Sequence, residues 1–197
     1  MAVRIKGLIE EIGKAGWPTE AILPILIKVM PAMYDAVVKT FRKQIVATER
    51  RRARAAVEGI YHWLIYANRF SIPGPPKDLL YELGNIVQGR RQPALDWALQ
   101  YVTQIIVEAP EQIDAVFIEC LCRGLEFLLQ ETDYRGDNGT PQRTLEFEKM
   151  PFCRELCAKL ASALNKTSYA NDYAVQEWLK AAQDDPLPEV RYALVTS

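Results

Sequence analysis

Apolar residues recur along this chain at intervals of three and four. No stretch alternates with period two for long enough to make a strand, so the pattern predicts an all-α fold. Val57, Ile60, Tyr61, Leu64 and Ile65 form the stripe of a helix with one buried face. That helix is expected to start near Lys43 and to stop before Ser71, because three prolines and a glycine follow between Pro73 and Pro76. Pro76 suits the first turn of the next helix, whose stripe is Leu79, Leu80, Leu83, Ile86 and Val87, with Gly89 as its end. Leu95, Leu99, Val102 and Ile106, widened by Trp97, Tyr101 and Ile105, mark a further helix that Ala109–Pro110 closes. Ile113, Val116, Phe117, Cys120, Leu121 and Leu128 mark a long amphipathic one that runs toward Glu131.

The segment from Tyr134 to Pro141 reads as a loop and as the most mobile internal stretch, since glycine, asparagine and proline punctuate it. Its Arg-Gly-Asp tripeptide carries no integrin reading in a chain without a secretion signal. Helical spacing resumes through Leu156, Cys157, Leu160, Ala161 and Leu164, pauses at residues 165–169, and returns around Ala174, Val175, Trp178 and Leu179. At the other end, Ile5, Leu8, Ile9 and Ile12 suggest a first helix, broken at Gly16-Trp17-Pro18. The division expected is an N-terminal helical arm, 1–42, and a helical domain, 43–197.

Helices joined by short proline-rich turns suit an antiparallel stack or an irregular multi-helix bundle. The run from Asp185 through Pro186, Leu187, Pro188, Val190, Arg191, Ala193 and Leu194 resembles the junction and second helix of a HEAT repeat, an aspartate preceding a Val-Arg pair, with Trp178 and Leu179 on the repeat's first helix. A looser likeness at Pro93, Leu95, Ala98 and Leu99 has Asp96 where that family would show arginine. The resemblance covers about one repeat. It implies a HEAT-like or armadillo-like α-solenoid that offers a surface to partners; fold alone does not establish function.

Composition fits a globular protein: 49% of the 197 residues are hydrophobic and 25% charged, which excludes disorder of the whole chain. The formal net charge of −1 excludes a uniformly basic nucleic-acid binder, yet it conceals a polarised chain. Between Lys39 and Arg54 seven basic residues (Lys39, Arg42, Lys43, Arg50, Arg51, Arg52, Arg54) face Glu49 alone, a net of +6. Between Tyr101 and Asp137 eight acids face Arg123 and Arg135, a net of −6. The candidate partner-binding residues are therefore Arg42, Lys43, Arg50, Arg51, Arg52 and Arg54, joined by Arg90 and Arg91. They suit an acidic protein surface first and nucleic-acid phosphates second, because no aromatic apart from Phe41 interleaves with the run to stack on bases. A homo-oligomer stays open.

Candidate chemistry is sparse. His62, the only histidine, stands between Tyr61 and Trp63 on a helix and is expected to pack rather than catalyse. No phosphate loop, dinucleotide fingerprint or zinc-protease motif occurs, and the pairs Glu126/Glu131 and Glu146/Glu148 do not differ from exposed charged faces. Cys120 and Cys122 point about 200° apart on a helix, which disfavours a zinc site with Cys153 and Cys157. Four thiols in apolar stripes instead suit a reducing, cytoplasmic compartment. In Ala21 to Val38, Lys28 and Asp35 would each cost roughly 2.5 to 3.5 kcal/mol at a bilayer centre, so no membrane span is expected. The reading is thus of a non-catalytic scaffold, a subunit or domain of a larger complex, without metal or cofactor.

Overall fold

The computed structural model describes residues 32, 34–71, 73–90, 94–132 and 151–195. They form eight α-helices and, among the described residues, no strand: the protein is all-α. They fall into two compact units, divided between Leu80 and Tyr81. Most of the arm predicted at 1–42, with its first helix, the loop around Tyr134 to Pro141 and the Glu146/Glu148 pair lie outside the described residues.

In the first unit, α1 (Tyr34–Ile45) packs against α2 (Arg50–Phe70). The single helix expected from Lys43 is therefore two, and residues 42 and 43 lie within α1. Val46, Ala47, Thr48 and Glu49 make the turn, with the Ala47 amide donating to the Gln44 carbonyl at 3.0 Å. The turn lets Val37, Phe41 and Ile45 of α1 be buried along with Ala53, Val57, Ile60 and Leu64 of α2, which one continuous helix would not allow. Neither glycine nor proline marks it in the sequence.

Trp63 anchors this unit. It is fully buried, stacks on Phe41 at 5.8 Å between ring centres and meets Tyr34 edge-on at 5.5 Å. Both polar tips hold the proline-rich connection: Trp63 Nε1 donates to the Pro73 carbonyl at 2.8 Å, and Tyr34 Oη donates to that of Gly74 at 3.1 Å. Helix α2 ends as the prolines demand. Ser71 turns into the left-handed region at φ 51° and its amide donates to Ala67.

Helix α3 (Lys77–Asn85) follows, spanning the division, and runs into a π-helical turn (Ile86–Arg90) that contains the expected stop, Gly89. The second unit continues with α4 (Leu95–Glu108), a 3₁₀ turn (Pro110–Gln112), α5 (Ala115–Thr132), α6 (Pro151–Leu164), α7 (Tyr173–Gln183) and α8 (Pro188–Ala193). Helix α6 is the hub, packed against α4, α7 and α8. Leucines, cysteines and small residues (Leu156, Cys157, Ala158, Leu160, Ala161, Ala163) bury it on almost every side.

Helix α7 rests on α5, where Trp178 Nε1 donates to the Leu125 carbonyl at 2.7 Å. Asp172 caps α7 by accepting from the Ala174 amide at 2.9 Å. Helix α8 closes over α6 through Val190 and Ala193, against Ala158 and Ala182. The turn before α8 is held by Asp185, which accepts from the Leu187 amide at 2.9 Å and pairs with Arg154 at 3.2 Å, both side chains nearly buried. No described helix is long and apolar enough to cross a membrane.

Candidate interaction surface

The basic run is brought together by the turn between α1 and α2. Lys39, Arg42 and Lys43 lie at i, i+3 and i+4 on the face of α1 opposite its buried stripe, and all three are exposed. Four residues later α2 opens with Arg50, Arg51 and Arg52, then Arg54, all exposed around the buried Ala53. At 100° per residue Arg50, Arg54 and Arg51 fall within a sector of about 100°, and Arg52 about 100° beyond it. Val46, half exposed, stands in the turn between the two sets.

The two halves of this corner differ in their cost to folding. Arg42 and Lys43 occupy the last turn of α1, where the helix dipole favours cations. Asp78, in the first turn of α3, pairs with Arg42 at 2.8 Å, and this hydrogen bond raises the guanidinium pKa. Arg50, Arg51 and Arg52 occupy the first turn of α2, the positive end of its dipole, where each cation costs about 0.3 to 1 kcal/mol at low ionic strength. That turn holds no acid, and its N-cap, Glu49, makes no capping hydrogen bond. Glu49 instead pairs with Arg52 at 2.9 Å, an exposed contact that offsets little.

Of the remaining candidates, Arg90 closes the π-helical turn and Arg91 lies outside the described residues.

An opposite surface lies on the second unit. Along α5 the exposed residues Ala115, Val116, Glu119, Arg123, Glu126 and Phe127 fall within a sector of about 120°, while Phe117, Leu121, Leu125 and Leu128 fill the buried side. Val116, read from the sequence as part of the apolar stripe, sits on this outward face and is 52% exposed. Glu108, Glu111 and the exposed Val107 stand at the α4 end. Asp114 serves structure: it accepts from the Phe117 amide at 3.0 Å and from Tyr81 Oη at 3.1 Å.

The thiols are dispersed. Cys120 lies against Gly84, whereas Cys122 meets the N-cap of α7: burial first, then Asp172, pushes its thiol up to about 12. Cys157 is raised too, by burial and then by Cys153. Among the described residues no three histidine, cysteine or acidic side chains come together to hold a metal. His62 is half-buried, 4.0 Å from Glu58 and stacked on Tyr66 at 6.0 Å. Comparison of the chain with protein-family models, with curated proteins and with solved structures returns no significant match.

Proposed function

We propose that this chain is a non-catalytic helical interaction module, a cytoplasmic subunit or domain of a larger assembly, whose basic corner docks an acidic protein surface. The observation that carries the reading is the placement of Arg50, Arg51 and Arg52. The helix dipole disfavours cations in that first turn, the exposed Glu49–Arg52 pair offsets little, and a local rule broken in this way is expected where a surface is kept for binding. Their exposure, beside Lys39, Arg42 and Lys43, supports a charged contact that sets association rate and register.

A HEAT-like stack is the architecture this function would use. The helix pair α7 and α8 supports it, with Asp185 holding their junction and Arg191 donating to the Asp185 carbonyl at 2.5 Å. The setting of His62, stacked among aromatics, supports packing rather than catalysis.

The experiment is a titration with a Glu-rich peptide and with duplex and single-stranded oligonucleotides at about 0.15 M salt. Salt-sensitive peptide binding that is lost in Arg51→Gln with Arg52→Gln is expected, and only weak, non-specific oligonucleotide binding. Sub-micromolar duplex binding would overturn the reading in favour of a nucleic-acid partner, above all if the double substitution flattens the log-log salt slope by roughly 1.8.

A further inference from the structure

The acidic stripe of α5 matches the basic corner in kind as well as in sign. Glu119 and Glu126 flank Arg123 along it, with the exposed apolar side chains of Val116 and Phe127 between and beside them. Apolar contacts inside a charged margin are the make-up of a protein interface, and these five side chains leave the buried face of α5 untouched. The corner offers the complement, Val46 set among cations. Both surfaces belong to one sequence whose net charge is only −1, so each copy carries the counterpart of its own binding face.

We infer that the chain self-associates head to tail, the α1–α2 corner of one copy docking on the outward stripe of α5 in a second. The inference rests on the interaction reading above and names its partner. Exchanged reciprocally, the contact is isologous and closes a two-fold dimer; made in series, it is heterologous and extends a chain. Charge steers the encounter and fixes register, so association weakens as salt rises.

Sedimentation velocity of the whole chain across protein concentration, at about 0.05 M and about 0.5 M salt, is the test. The wild type is expected to associate at low salt and at least about tenfold more weakly at high salt. Two charge-reversed proteins decide the faces involved. One carries Arg51→Glu and Arg52→Glu, the other Glu119→Lys and Glu126→Lys; all four positions are exposed, so the fold is retained. Each variant alone is expected to associate at least about tenfold more weakly than the wild type, because one reversal cuts the corner from +6 to +2 and the other turns Glu119, Arg123 and Glu126 from −1 to +3, while an equimolar mixture, which pairs an intact corner with an intact stripe, associates again. A wild type that stays monomeric, association that survives both reversals, or a mixture that stays dissociated overturns the inference. A monomeric wild type that still binds the Glu-rich peptide leaves the interaction reading standing and removes only the second copy as partner; loss of both removes both.

Discussion

Burial among apolar side chains disfavours a thiolate, and Cys122 and Cys157 are both so placed. In the unfolded chain a cysteine releases its proton near pH 8.5, whereas folded Cys122 holds its own to about 12. The folded state therefore binds more protons across that interval, and stability, complete below it, falls as pH rises through it. Urea midpoints measured from pH 8 upward should decline for the wild type. Cys122→Ser keeps a donor toward Asp172 but has no titration in this range, so its midpoints should decline less steeply. Parallel curves for the two proteins would refute the assignment. That Cys120 and Cys122 face different neighbours was legible in their spacing; that Cys122 meets an N-cap was not, because Asp172 arrives from a helix fifty residues on. Val116 was misplaced for a related reason. Apolar identity alone cannot say on which side of α5 a residue at the edge of the stripe falls.

Between elements, backbones approach closely where α5 crosses the end of α3 and its π-helical turn. A Cβ on Gly124 would stand 2.7 Å from Val87 Cγ1 and 3.0 Å from the Val87 carbonyl carbon, and one on Gly84 would stand 2.9 Å from Cys120 Cβ. Gln88 Nε2 donates to the Cys120 carbonyl across the same junction at 3.2 Å. Gly124→Ala should therefore destabilise by about 1 to 3 kcal/mol despite the alanine's better helix propensity, since backbone has to move. Gly74→Ala is the matched control: its Cβ would meet Ala67 Cβ at an ordinary 3.6 Å, so the change should be neutral or stabilise by about 0.4 to 1 kcal/mol through the unfolded chain. Equal losses in chemical denaturation would mean that the crossing is not tight. Most elements were legible from helical spacing and from proline punctuation at Pro73–Pro76, Pro110 and Pro186–Pro188. The turn at Val46–Glu49 was not, because neither glycine nor proline marks it, and the π-helical turn was legible only as a helix end at Gly89.

For the molecule as a whole, the polarised charge was legible from residue counts alone, and the structure adds where on the helices the cations sit. Arg42 and Lys43 agree with the dipole of α1 and carry no folding conflict, while Arg50, Arg51 and Arg52 oppose that of α2. On the proposed reading that this surface is kept for binding at the expense of the helix, the two effects are separable. The measurement that bears on this most directly is a parallel determination, on wild type and on the variant Arg50→Gln, Arg51→Gln, Arg52→Gln, of thermal stability and of binding to the Glu-rich peptide at low ionic strength. The variant is expected to be more stable, by about 1 to 3 kcal/mol in sum and less as salt is added, and to lose salt-sensitive binding. A variant that is less stable than the wild type, or one that binds the peptide unchanged, would contradict the account, for the arginines would then serve the fold rather than a partner.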